Sequence, residues 1–110
     1  MPKKLREMSS HFRNAVLEVV RAIPSGSVMS YGEVAIRAGY VGAARAVGSL
    51  MKQNHDPSVP CHRVVKSDGT IGEYNGGIEI KVAKLRQEGV CITRVDDKRK
   101  GAIQYNYSIY

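Results

Sequence analysis

Apolar residues first recur at helical spacing in Phe12, Val16, Val19, Val20 and Ile23. Steps of three and four place them along one face of a helix. Ser9 and Ser10 precede that stripe as N-cap candidates, because a serine hydroxyl can accept from an unpaired N–H of the first turn. Pro24-Ser25-Gly26 ends the helix near Ile23. A capping box in Ser30-Tyr31-Gly32-Glu33 predicts a short second helix, closing at Ala38-Gly39. A turn at Tyr40-Val41 leads to a third helix, from about Gly42 to Gln53. Two short helices joined by a tight glycine-containing turn read as a helix-turn-helix, and an ordinary helical hairpin gives the same pattern.

The pattern then changes. Residues 54–60 form a loop holding Pro57 and Pro60. Pro60 disfavours helix at Val59, so residues 61–65 read as a short extended run. Lys66-Ser67-Asp68-Gly69 is turn chemistry, and residues 71–77 are glycine-rich and irregular around Tyr74. A last helix is expected over 78–87, with Ile80, Ala83 and Leu85 toward a core and Gly89 closing it. Ile71, Val82 and Leu85 are expected to be largely buried. Asp96-Asp97-Lys98-Arg99-Lys100 reads as a solvated charge run, and residues 101–110 read as a strand or a docked tail. The fold class is therefore mainly α with short strands, a winged-helix-like helix-turn-helix domain. The expected division is a basic N-terminal segment over 1–8, the main domain over 9–92 and a tail over 93–110.

Composition sharpens this picture in one respect. A length of 110 residues with 43% hydrophobic and 25% charged content fits one globular domain. A net charge of +7 suits a polyanionic partner, because each neutralised phosphate releases counterions. Basic character also serves solubility alone, so charge by itself leaves nucleic-acid binding open. The second helix of the expected pair adds weight to it. Ala43, Ala44, Ala46, Gly48 and Ser49 are small enough for close approach to another surface, and its charges, Arg45 and Lys52, are both positive.

Residues 1–6 are charged and no apolar stretch comes after them, which argues against a secretory leader. No run approaches the roughly 18 apolar residues of a membrane span. The expected setting is a reducing cytoplasm, at the nucleoid in a prokaryote. Cys61 is then a candidate reactive thiol rather than half of a disulfide with Cys91. His11, His55, His62 and the two cysteines show no metal-ligand spacing, and no metal or cofactor is expected.

Cys61 and His62 are adjacent, and a nucleophilic thiol needs a base or positive charge nearby. Neighbours in an extended strand point to opposite faces, so a bridging water or a kink would be needed to connect them. Taken alone, each residue also fits a buried structural role.

The motif Val59-Pro60-Cys61-His62-Arg63-Val64 resembles the acceptor-cysteine motif of the O(6)-alkylguanine-DNA alkyltransferases. Residues 23–35 resemble the segment leading into that family's helix-turn-helix. Ala44-Arg45-Ala46-Val47-Gly48 resembles its recognition helix. Gly72-Glu73-Tyr74-Asn75-Gly76-Gly77 resembles its active-site loop, and Lys84-Leu85-Arg86-Gln87-Glu88-Gly89 its closing helix. The motifs fall in the family's order over residues 10–92. The loop from Asn54 to Cys61 is one residue shorter than the family's pattern.

The resemblance implies single-turnover transfer of an alkyl group from guanine in duplex DNA to Cys61, by a monomer that needs no membrane. His62 would deprotonate the thiol through a water, Glu88 would orient the imidazole, and Asn54 would brace the turn. Tyr31 would crowd a phosphate and hydrogen-bond the base, and Arg45 would fill the space left by the flipped guanine. Tyr74, Gly76 and the backbone amide of Asn75 would shape the pocket. Ala44, Gly48, Met51, Lys52 and Val64 complete the implied DNA- and substrate-binding set. A damaged base inside a duplex must be extruded before chemistry, at a cost of a few kcal/mol that an inserted side chain partly offsets.

The first alternative is an alkyltransferase-like protein, which binds alkylated DNA and lacks the acceptor cysteine; Cys61 speaks against it. A Cys-His hydrolase would carry its base on a separate element. A plain transcription factor would leave the active-site loop idle.

Overall fold

The computed structural model describes residues 2–68, 70–72, 74, 77–95 and 101–103, with side chains described for 10–68, 70–72, 74 and 77–92. Asn75, Gly76 and the charge run over 96–100 lie outside the described residues.

Helix α1 runs Pro2–Arg21. It starts well before the expected serine caps, so Ser9 and Ser10 sit inside the helix. Proline is suited to a first helical position because its φ is preset and its missing N–H is not needed there. Lys, Leu, Arg, Glu and Met then carry the helix forward. Its inner face buries Val16, Leu17 and Val20, with Ile23 just beyond the end.

Strand β1 (Met29–Ser30) leads directly into α2 (Tyr31–Ala38). The Ser30 hydroxyl accepts from the Glu33 amide at 3.0 Å, as the capping box requires. The Glu33 carboxylate, however, bonds Arg37 at 2.9 Å one turn on. Gly39 ends α2 at φ 95°, a left-handed conformation suited to glycine. Helix α3 spans Ala44–Gln53. It starts after the expected Gly42, because Gly42 is itself left-handed at φ 86° and belongs to the turn. The α2–α3 pair is the helix-turn-helix, braced from α1 by an edge-to-face contact between Phe12 and Tyr40 at 5.0 Å.

The expected extended run over 61–65 is corrected. Cys61–Arg63 forms a 3₁₀ turn, and only Val64–Val65 is strand, here β2. The turn is closed by the Arg63 amide donating to the Pro60 carbonyl at 3.0 Å. Successive side chains in a 3₁₀ turn diverge by a third of a turn rather than pointing oppositely. β2 pairs in parallel with β1, Met29 opposite Val64 and Ser30 opposite Val65.

Helix α4 (Ile78–Gln87) has the expected bounds and a different inner face. Val82 and Leu85 are buried as expected, and so is Ile71. Ile80 is 49% exposed, and Ala83 is exposed as well. The inward stripe is Ile78, Lys81, Val82 and Leu85, which keeps to the three- and four-residue helical period. Beyond Gly89 lies an antiparallel pair, β3 (Ile92–Val95) and β4 (Gly101–Ile103); β4 falls where a strand or docked tail is expected, and β3 precedes that stretch.

Two apolar clusters result. One joins α1, the helix-turn-helix and the Cys61 turn, and the other joins Val28, β2, α4, Val90 and Ile92.

Candidate active site and nucleic-acid interface

Cys61 is buried at 5% exposure. Its turn stands over the end of α3, where Asn54, also buried, donates Nδ2–H to Sγ at 3.1 Å. A second, longer contact from the same nitrogen reaches the Asp56 carbonyl at 3.4 Å. Asn54 thus ties the loop between α3 and the turn to the thiol. Asn54, Val59, Pro60, Cys61, His62, Tyr74 and Lys84 are among the residues lining one cavity of about 410 Å³.

Behind the thiol lies a charged network. His62 Nε2 and Glu88 Oε2 are 2.8 Å apart. Arg63 grips the same carboxylate with two donors, Nε to Oε1 at 3.0 Å and Nη2 to Oε2 at 2.8 Å. Its third donor, Nη1, reaches the Ile23 carbonyl at 2.7 Å. Such a two-pronged guanidinium–carboxylate pair fixes geometry as well as charge. Glu88 is the residue after α4, so the network fastens the end of that helix to the Cys61 turn and to the end of α1.

Electrostatics derive from burial and partners. Burial raises the Cys61 thiol above its ordinary value, against the opposing effects of Asn54 and Lys81, so it rests protonated at neutral pH. Burial also lowers His62, despite Glu88, and the imidazole is therefore neutral at pH 7. Burial alone would raise Glu88, but hydrogen bonds from Arg63 and His62 together outweigh it and hold the carboxylate below its usual range. A neutral imidazole facing a carboxylate carries its proton on the nitrogen that faces it. His62 Nδ1 is then left as a proton acceptor.

Lys81 is fully buried on the inner face of α4. Its three N–H donors meet three oxygens: Ile71 O at 2.6 Å, Val64 O at 2.8 Å and the Tyr31 hydroxyl at 3.3 Å. Burial pushes its ammonium down to about 7, with the Cys61 charge acting in the other direction. It thereby links the strand after the cysteine turn, the loop before α4 and the first residue of the helix-turn-helix. Packing here is close. A Cβ at Gly72, which sits at φ 83°, would lie 2.7 Å from the Tyr31 hydroxyl.

The second cavity, about 630 Å³, lies on the helix-turn-helix side and is lined by Tyr31, Gly32, Ala44, Arg45, Gly48, Ser49, Lys52, Lys66, Ser67 and Asp68. Arg45 and Lys52 are exposed there, and Tyr31 lies against α3 at Gly48, where a Cβ would meet its ring carbons at an ordinary contact distance of 3.9 Å.

The residues selected from the sequence therefore divide. Cys61, His62, Asn54 and Tyr74 share the first cavity, with Glu88 bonded to His62. Tyr31, Ala44, Arg45, Gly48 and Lys52 share the second. Met51 and Val64 are core residues, at 2% and 0% exposure, packed in the cluster that holds Cys61. Sequence reasoning misses Arg63 and Lys81 as site residues. The signal for Arg63 is its place in an apolar segment, where an arginine needs an acid. Lys81 betrays itself only once α4's inner stripe is drawn through it. Among the described residues no cluster of three or more metal-binding side chains occurs, and no helix is long and apolar enough to cross a membrane. Cys61 and Cys91 are not joined to each other by a disulfide.

A mainly helical helix-turn-helix domain with a buried cysteine backed by a histidine–glutamate–arginine network defines the class. Residues 11–90 match the family described as "6-O-methylguanine DNA methyltransferase, DNA binding domain", and the chain belongs to that family. A methylated-DNA–protein-cysteine methyltransferase of Methanothermobacter thermautotrophicus is 44% identical over 84 residues, 76% of this chain and 47% of that protein. The chain thus spans about half the length of the curated relatives it matches. The structure of S. pombe Atl1 "in complex with damaged DNA containing O6-carboxymethylguanine" superposes with a TM-score of 0.76 at 35% identity, covering 86% of this chain and 90% of that one. Mycobacterium tuberculosis OGT in complex with DNA superposes with a TM-score of 0.67 at 44% identity, covering 70% and 48%.

Proposed function

We propose that this protein binds duplex DNA and transfers an alkyl group from O(6)-alkylguanine to its own Cys61. The observation that carries the reading is the buried thiol in one cavity with a neutral His62, whose far nitrogen is held by Glu88. Relatives named as methylated-DNA–protein-cysteine methyltransferases support it.

Burial keeps the thiol protonated until it is needed. His62 Nδ1 accepts its proton through a water, and Glu88 stabilises the imidazolium that forms. The thiolate then attacks the alkyl carbon. An S–C bond forms, the C–O6 bond breaks, its electron pair passes to the guanine, and the base takes up a proton. The thioether has no return path, so each molecule acts once. Arg45, exposed at the start of α3, would enter the stack as the base leaves, and Lys52 and Lys66 would meet phosphates. Tyr31 would hydrogen-bond the extruded base, and Tyr74 with Asn75 and Gly76 would wall its pocket. The expected setting is the nucleoid or cytoplasm, with the protein monomeric.

One observation supports a second reading, DNA binding without transfer: Atl1, matched over 86% of this chain and 90% of that one, is seen in complex with damaged DNA. Intact mass after incubation with methylated duplex DNA separates the two. One methyl group per molecule, located on Cys61 and absent in Cys61→Ala although that variant still binds, supports transfer. No gain in mass with binding intact leaves the binding-only reading, and a methyl on Cys91 overturns the assignment.

A further inference from the structure

The lining of the cavity beside Cys61 has more basic than acidic side chains, with Asp56 as its one acid among the described residues. Three basic side chains line it, Arg21, Arg63 and Lys84. Two of them are already engaged with acids. Arg21 lies 3.6 Å from Asp56, and Arg63 is bound by Glu88 at 2.8 Å. Lys84 differs. Among the described residues it is held by neutral groups, its Nζ donating to the Tyr74 hydroxyl at 3.0 Å and standing 5.5 Å from that ring's centre. The contact with Tyr74 parks an unneutralised ammonium on the wall of the cavity that contains the thiol, and Lys84 is near enough to influence both Cys61 and His62 electrostatically.

A methyl group offers that ammonium nothing. An alkyl group ending in a carboxylate offers a charge-assisted hydrogen bond in place of the neutral tyrosine hydroxyl. The geometry points to Lys84 as a specificity-determining residue that favours alkyl groups with a terminal carboxylate over methyl and other apolar groups at the same thiol. The inference rests on the alkyl-transfer reading. The chemistry is otherwise unchanged: Sγ attacks the methylene carbon, the S–C bond forms, the C–O6 bond breaks with its electron pair going to guanine, and the product is S-carboxymethylcysteine.

The test measures single-turnover transfer at saturating protein from two duplexes, identical except for O(6)-carboxymethylguanine or O(6)-methylguanine. The ratio of the two rates cancels general effects on DNA binding and on the thiol. Lys84→Met, which keeps the stem and removes the charge, is expected to lower the carboxymethyl-to-methyl ratio roughly fivefold, the size of a partly exposed ion pair. Lys84→Arg is expected to keep the ratio within about twofold, since it keeps the charge. Lys84→Gln repeats the loss of charge with a polar side chain, and should match Lys84→Met. An unchanged ratio in both Met and Gln variants, with methyl transfer intact, overturns the role of Lys84 and leaves the alkyl-transfer reading standing. Transfer from neither duplex by the unaltered protein overturns both.

Discussion

The network behind Cys61 and the exposed face of α3 are built on opposite principles. Around Cys61 the buried network joins the proposed chemistry to the packing of the fold. Arg63 holds Glu88 and the Ile23 carbonyl, Asn54 holds the thiol, and Lys81 fills three acceptors in the core. On α3, Arg45 and Lys52 stand exposed along a cavity to which the same helix adds the small residues Ala44, Gly48 and Ser49. Stability and function can therefore be separated in one place and not in the other. Substitutions on the exposed face of α3 should change what the protein does without changing how well it folds, and substitutions in the network should change both.

The largest effect is expected from Arg63→Ala. It leaves Glu88 without its guanidinium and the Ile23 carbonyl without a donor, both partly buried, and removing one partner of such a pair costs about 3 kcal/mol. Urea unfolding should show that loss, together with a strong loss of transfer. Stability within about 0.5 kcal/mol of the unaltered protein, the range of ordinary surface changes, would mean that the network is not structural.

Arg45→Ala is the opposite case. Stability should remain within about 0.5 kcal/mol. Single-turnover transfer from duplex DNA at saturating protein should slow by about tenfold, and reaction with free O(6)-benzylguanine should hardly change. The free base needs no extrusion, whose cost of a few kcal/mol sets the size of the effect. Equal losses on both substrates, or full recovery on duplex, would reduce Arg45 to a surface charge.

Two smaller effects depend on pH. Lys81 falls from its ordinary 10.5 to about 7 on folding. Above pH 7 the unfolded chain therefore holds a proton that the folded chain releases, and stability rises with pH. Cys61, raised from 9.0, acts in the opposite sense only above pH 9. The urea midpoint should accordingly rise between pH 7 and 9, and the rise should shrink in Lys81→Met. An equal slope in the variant would remove Lys81 as its source. His62 is lowered from 6.5, and only its neutral form can accept the thiol proton. Transfer rate should therefore decline with acidity along a limb centred below pH 6.5, and a limb centred above it would exclude His62 as the base.

How much of the fold and site is legible in the sequence depends on the range of each interaction. The capping box places Ser30 and Glu33 three residues apart, so α2 can be read locally, and Gly39 marks its end for the same reason. The bounds of α4 are readable too, but its inner face is not. Ile80 looks like a core residue and Lys81 does not, yet the helix turns the lysine inward because Val64, Ile71 and Tyr31 provide oxygens for it there. Those oxygens come from segments 10 to 50 residues away in the chain. The turn at Cys61–Arg63 reads as strand because β-type residues come after it and nothing periodic announces a 3₁₀ turn. Cys61, His62 and Glu88 are found through resemblance, whereas spacing alone leaves the cysteine–histidine pair ambiguous. Arg63 escapes notice because its partners, Glu88 and the Ile23 carbonyl, lie 25 and 40 residues away.

The parallel pairing of β1 with β2 implies an order of assembly. Two rungs join Met29 and Ser30 to Val64 and Val65 across the whole helix-turn-helix, and contacts that close long loops form late. A chain growing from its N-terminus can pack α1 against α2 and α3 before Val64 exists. Arg63 can then reach the Ile23 carbonyl, but its carboxylate arrives only with Glu88, at the end of α4. The α3 surface proposed to meet nucleic acid is thus ready early in synthesis. The thiol stays unsheltered, and its histidine unaligned, until nearly the last described turn of the domain is in place.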